Sequence, residues 1–310
     1  MSTFSTDLRK RPRPSGPIRE ARAEGLGPWD REVSIDVGGL RFELAGVPRL
    51  LERDLAVHFG PAVLPSGDGG LAELRIQVRP AIVGTYLDFS RQGDSREYAI
   101  ETRVRDGKLH AWSYAFAGWF AIDGAEGEIC LCENPIESPE RSIENFLRVA
   151  FSWRAARLGG LLLHASGLVR QGRAYLFFGP SGIGKTTIAR LSPYELLLND
   201  DCIHVTSRAP VFMASGVCFK AGEDRRAQGS FPVAGLFRLV QSTRAACDRI
   251  PAARAVGELM TSIPVVTERP EGAERLFGTV EAMVRAVPVM RLQFRLSPDF
   301  WNPIEEALRG

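Results

Sequence analysis

The stretch Gly179-Pro180-Ser181-Gly182-Ile183-Gly184-Lys185-Thr186-Thr187 fits the pattern G-x-x-x-x-G-K-[ST]. Its glycines let the backbone wrap tightly and aim successive N–H groups at phosphate oxygens. Lys185 can neutralise β- and γ-phosphate charge, and the Thr186 hydroxyl can ligate Mg²⁺. The context agrees: a nearly all-apolar strand (174–178) precedes the loop and helix-forming residues follow from Lys185. The helix dipole there adds to the anion site. The bland alternative is a Gly-rich turn with an exposed lysine, which the placement after Phe177-Phe178 disfavours.

Thirteen residues beyond Thr186, Asn199-Asp200-Asp201 ends an apolar run read as a buried strand over 194–198. Adjacent side chains on an extended backbone diverge, so one carboxylate can face a metal while the other faces an attacking hydroxyl. Read blandly, the pair starts a turn. His164 interrupts an apolar strand expected over 161–169 and, taken alone, suits a satisfied core histidine equally well. Lys220, Arg225 and Arg226 lie in a segment without core pattern. One of them could steady a transferred phosphoryl group, as an arginine finger does, or all could be solvated loop residues.

Residues 1–29, rich in Arg, Pro, Gly and Ser, read as a flexible arm with a basic cluster at Arg9, Lys10, Arg11 and Arg13. Over 30–137 apolar residues alternate with polar ones, and Gly38-Gly39 and Asp106-Gly107 are hairpin signals, predicting an antiparallel β-rich domain. A short helix is expected over Arg49–Phe59, stopped by Gly60. The aromatic cluster Trp112, Tyr114, Phe116, Trp119 and Phe120 reads as core. A connecting helix over 138–160 follows, with Ser138 as its cap, Pro139 in its first turn and Gly159-Gly160 at its end. Residues 161–310 then form the phosphate-loop domain. Beyond the motifs it holds a strand over 233–240, a helix over 251–260, an edge or half-exposed strand over 289–296 and a final helix capped by Asp299.

The chain has 310 residues, 45% of them apolar, and 39 Lys and Arg against 37 Asp and Glu. That balance argues against nucleic acid or a membrane surface as partner, and no charge-free apolar run is long enough for a membrane helix. Five cysteines fit reduced structural thiols and a cytoplasmic setting better than a disulfide framework. Cys130 and Cys132 lack the second pair or histidine that a zinc site needs.

His164-Ala165-Ser166, the GPSGIGKTT loop and Asn199-Asp200-Asp201, in that order over about residues 160–300, resemble the catalytic domain of HPr kinase/phosphorylase. That group shares its nucleotide fold with ATP-dependent phosphoenolpyruvate carboxykinases. The resemblance implies that His164 lies beside the transferred phosphate, that Lys185 and Thr186 hold nucleotide and Mg²⁺, and that Asp200 and Asp201 take the base and metal roles. It implies ATP or another nucleoside triphosphate as donor, and hexameric HPr kinases raise the expectation of a homo-oligomer. HPr kinases also carry a later glycine-rich segment with a metal-ligating glutamate, for which 219–223 (Phe-Lys-Ala-Gly-Glu) is an imperfect counterpart. The chain is similar above all to shorter, divergent HPr-kinase-like proteins, some associated with peptide tailoring, lasso-peptide serine kinases among them.

The resulting expectation is an α+β/α/β protein that binds Mg²⁺ and ATP and phosphorylates a hydroxyl on a protein, a peptide or a small alcohol. Asp200, His164 and Lys185 are catalytic in this reading, and Thr186 and Asp201 hold the metal. The N-terminal β unit is placed to recognise the acceptor. The alternative is a non-catalytic nucleotide sensor. A carboxykinase acting on oxaloacetate is the weakest reading, since its substrate-binding Arg and Lys motifs are missing.

Overall fold

A computed structural model describes residues 28–65, 70–80, 100–132, 137–208, 210–219, 227–264 and 270–309. Arg9, Lys10, Arg11 and Arg13 of the expected arm lie outside the described residues, as do Lys220, Arg225, Arg226 and Glu223. The described chain is mixed α+β, with two β-sheets and six α-helices.

The first sheet is formed by β1 (Trp29–Val37), β2 (Leu40–Pro48), β3 (Val63–Leu64), β4 (Leu74–Pro80), β5 (Glu101–Arg105), β6 (Lys108–Trp112), β7 (Phe116–Ala121) and β8 (Glu126–Leu131), in the order β3-β1-β2-β4-β8-β7-β6-β5. Both hairpin signals form tight turns. Gly38 and Gly39 close β1 on β2, and Asp106 and Gly107 close β5 on β6, all four at positive φ as a type I′ turn demands. The sheet is mostly antiparallel, as expected, but β4 pairs in parallel with both β2 and β8. The cause is α1 (Arg49–Phe59), whose crossover returns the chain to the end where β2 began. Tyr114, Phe116 and Phe120 are buried as expected, whereas Trp112 and Trp119 are half-buried, with the Lys108 ammonium over the Trp119 ring.

Helix α2 (Pro139–Arg157) lies against the first sheet and buries Ile143, Phe146, Leu147, Ala150 and Phe151 in a core that also takes in Leu162, Cys202, Val217 and Phe219 from the second half of the chain. Ser138 occupies its N-cap position without capping, because the hydroxyl bonds Glu140 instead of the backbone.

The second sheet comprises β9 (Gly160–Leu163), β10 (Ala165–Arg170), β11 (Arg173–Phe178), β12 (Leu196–Asn199), β13 (Ile203–Arg208), β14 (Val211–Gly216), β15 (Ser230–Gln241), β16 (Ala246–Arg249) and β17 (Val289–Phe294). Its path runs β12-β10-β11-β15-β14-β13-β9, with β17 on β15 and β16 on β17. Four further helices flank it: α3 (Lys185–Arg190), α4 (Ala252–Met260), α5 (Pro270–Ala286) and α6 (Trp301–Arg309).

Four expectations for this half are corrected. The run 161–169 is two strands, since β9 pairs β13 while β10 pairs β11 and β12, and the break falls at His164. Strand β12 begins only at Leu196, with Tyr194 exposed before it. Strand β17 is no edge, because β15 and β16 flank it. The Ser297 hydroxyl, not Asp299, accepts a backbone N–H at the final turn, and the Asp299 carboxylate pairs with Arg295. Strand β11 is buried on both faces, as its composition demands, and runs parallel to β15. Among the described residues no helix is long and apolar enough to cross a membrane.

Candidate functional site

The loop 179–184 leaves the C-terminal end of β11 and enters α3 through Gly184, whose φ of 116° is a left-handed conformation that suits glycine. A side chain there would also strike Phe294 Cζ at 2.7 Å. The Lys185 ammonium folds back beneath the loop, donating to the carbonyls of Gly179 at 2.9 Å and Pro180 at 3.2 Å. It is therefore buried and aligned with the loop instead of waving in solvent.

Asn199 fixes the two acids. Fully buried, it donates from Nδ2 to the carbonyls of Val217 and Phe219, both at 2.9 Å, and accepts on Oδ1 from the backbone N–H groups of Asp201 and Cys202. Every donor and acceptor site it uses is spent on pinning this turn against the segment after β14. The acids then diverge. The Thr186 hydroxyl donates to Asp200 Oδ2 at 3.4 Å. Asp201 turns inward, where Arg148 Nη1 donates to Oδ2 at 2.9 Å and His164 Nε2 lies 3.4 Å from Oδ1.

His164 sits in the break between β9 and β10, its backbone N–H bonded to the Ser262 carbonyl at 2.7 Å and its side chain 42% exposed. The break frees its side chain from a buried strand face and leaves it beside Asp201. The fold thus brings together Lys185, Thr186, Asp200, Asp201 and His164. Lys220, Arg225 and Arg226 lie outside the described residues.

Two residues of α2 belong to the same cluster, and sequence reasoning passed over both. Arg148 bridges Asp201 and Glu144, donating to Glu144 Oε1 at 2.5 Å, and its guanidinium lies 5.3 Å from the Phe219 ring centre. Glu144 Oε2 is also bonded by His58 of α1. Burial works against the Arg148 charge, yet the acidic neighbours Cys202, Asp201 and Glu144 raise its pKa above the ordinary value. Burial pushes the Cys202 thiol itself up to about 12, so at neutral pH the thiol is uncharged and the two carboxylates do the holding. Burial alone would raise the Glu144 pKa, but the His58 and Arg148 contacts bring it below the usual value. The only available signal was a pair of charged residues four apart within the apolar stripe of a helix.

The donor set suits a small hard cation. Thr186 and Asp200 offer two oxygens, while among the described residues no three His, Cys, Asp or Glu side chains gather into a metal cage. Mg²⁺ is bound in this manner where substrate phosphates and water supply its other ligands.

The family described as SynChlorMet cassette protein ScmC matches residues 131–309. No curated protein matches the chain. Among solved structures, the Hpr(Ser) kinase/phosphatase from Coxiella burnetii is similar at 14% identity, covering 48% of this chain and 99% of that one with a TM-score of 0.29.

Proposed function

The chain belongs to the SynChlorMet cassette protein ScmC family, and for its site we propose a kinase that transfers a phosphoryl group from Mg²⁺-bound ATP to a hydroxyl. The observation that carries this reading is the meeting of three distant segments, with Thr186 of the loop on Asp200 and His164 beside Asp201. Backbone N–H groups of 179–184 and the Lys185 ammonium would bind the polyphosphate, with Lys185 exchanging its loop carbonyls for phosphate oxygens.

The contact between Thr186 and Asp200 supports giving Asp200 the metal side, and the position of Asp201 beside His164 supports giving Asp201 the acceptor side. This reverses the assignment expected from sequence. Mg²⁺ bound there would neutralise charge building on the phosphate oxygens. Asp201 would take the proton of the acceptor hydroxyl as its oxygen bonds to the γ-phosphorus and the bond to the β-phosphate oxygen breaks, releasing ADP. Arg148 holds one oxygen of Asp201, which leaves the other toward His164. His164, exposed on one side, would hydrogen-bond the moving phosphoryl group. Positioning and electrostatics of this kind supply most of the catalysis in phosphoryl transfer.

The test incubates the protein with ATP, Mg²⁺ and hydroxyl-bearing peptides and small alcohols, and reads products by mass spectrometry for an added phosphate. Phosphate on an acceptor, absent with D201N, supports the kinase. Tight nucleotide binding with no phosphorylated product from any acceptor returns the protein to the sensor reading.

A further inference from the structure

Four arginines from four elements line one cavity near the loop. Arg238 of β15, Arg249 at the end of β16, Arg254 of α4 and Arg291 of β17 line a space of about 290 Å³ with Glu258 and Gln293. Val240, Ile250 and Pro251 supply its apolar wall. Glu258 is the one carboxylate lining it, and two of the arginines already share it: Arg238 Nε donates to it at 2.7 Å and Arg254 Nη2 at 3.3 Å. The side chains of Arg249 and Arg291 form no hydrogen bond or ion pair among the described residues. Asp248 stands opposite Arg291 in the pairing of β16 with β17 but does not line the cavity.

Like charges converging on a hollow raise the free energy of the fold unless something anionic enters. The place is also suited to a ligand, at the C-terminal ends of the parallel strands β11, β15 and β17. Arg238 anchors it to the loop, since a side chain at Gly179 would meet its Nη1 at 3.0 Å. Guanidinium forks match phosphate oxygens in pairs, and several forks from different directions suit a tetrahedral dianion better than a single flat carboxylate. The volume corresponds to the lower end of small-molecule sites, about 300 Å³. We propose that this cavity binds a small phosphate-bearing molecule at a site distinct from the nucleotide loop. The inference stands on the arginines and does not require the kinase reading.

Calorimetric titration of the full chain with pyrophosphate, and separately with ATP, tests it. K185M, which disables the loop, is expected to keep one pyrophosphate site. Adding R249Q and R291Q to K185M is expected to weaken that site about tenfold or more, the loss typical of removing a charge-assisted hydrogen bond. R249Q/R291Q alone, both positions being exposed, is expected to fold and to bind ATP as the wild type does. Loss of all pyrophosphate binding in K185M would overturn the proposal while leaving the nucleotide loop intact. An ATP affinity that falls with R249Q/R291Q would overturn it too, by assigning the arginines to the nucleotide.

Discussion

Arg148 of helix α2 donates through Nη1 to Asp201 Oδ2 at 2.9 Å, so a helix packed on the first sheet holds an acid of the second. Its Nη2 is spent on Glu144, which His58 of α1 also bonds. The chain His58–Glu144–Arg148–Asp201–His164 therefore runs from the first half of the molecule into the site. Lysine keeps the charge but cannot span both acids. R148K is expected to lower stability by about 2 kcal/mol, and R148M, which leaves two buried acids facing each other, by about 3–5 kcal/mol. Both should cut phosphotransfer at least tenfold while ATP affinity holds. Urea unfolding and a turnover assay check this, and an R148M protein as stable and active as the wild type would refute it.

The two acids should separate cleanly. D200N is expected to weaken Mg²⁺-dependent ATP binding, because the proposed mechanism puts Asp200, bonded by Thr186, on the metal side. D201N is expected to leave ATP binding intact and to lower turnover by about 10²–10⁴-fold, the usual worth of a positioned base. The opposite pattern, with D201N losing Mg²⁺-dependent binding, would restore the assignment expected from sequence.

What the sequence revealed was local, and what it hid was long-range. The tight turn from β11 into α3, the two hairpin turns and α1 follow from residues adjacent in the chain, where glycine placement and periodicity carry the information. The break at His164 was hidden because both halves of 161–169 are apolar; the partners β13 and β12 that pull them apart lie about 30–40 residues on. The parallel position of β4 depends on a crossover, which alternation does not record. Arg148 was passed over, since nothing near it in the sequence announces that Asp201 would arrive beside it. Asn199 was visible only as a neighbour of the acids, although its four hydrogen bonds set their divergence.

Two glycines of the loop should respond differently to the same methyl group. Both have positive φ, 75° at Gly182 and 116° at Gly184, but an added Cβ meets nothing within 4 Å at Gly182 and Phe294 Cζ at 2.7 Å at Gly184. G182A should cost about 1–2 kcal/mol of backbone strain. G184A adds a clash with a buried ring to that strain and should cost about 3 kcal/mol, with ATP binding lost. Thermal melts with and without ATP read both, and equal shifts for the two variants would show that the ring does not constrain the loop.

Stability should fall in mild acid because of His204. The ring is packed edge-on against Phe151 at 4.9 Å and against the hairpin turn at Gly38. Burial lowers its pKa to about 4, against the raising effect of a hydrogen bond with the Gly38 backbone. The unfolded chain, with an ordinary histidine pKa of about 6.5, binds the proton first, so stability rises with pH between about 4 and 6.5. Going from pH 7 to 5 should cost about 2 kcal/mol, at 1.4 kcal/mol per unit. Glu144, whose pKa lies below the usual carboxylate value, adds its own loss only in stronger acid. His204→Gln removes the titrating group while keeping a donor for the turn, so it should be somewhat less stable at pH 7 yet lose little more at pH 5. Urea midpoints at the two pH values, for wild type and variant, decide the matter, and an equal acid loss in H204Q would place the titrating group elsewhere.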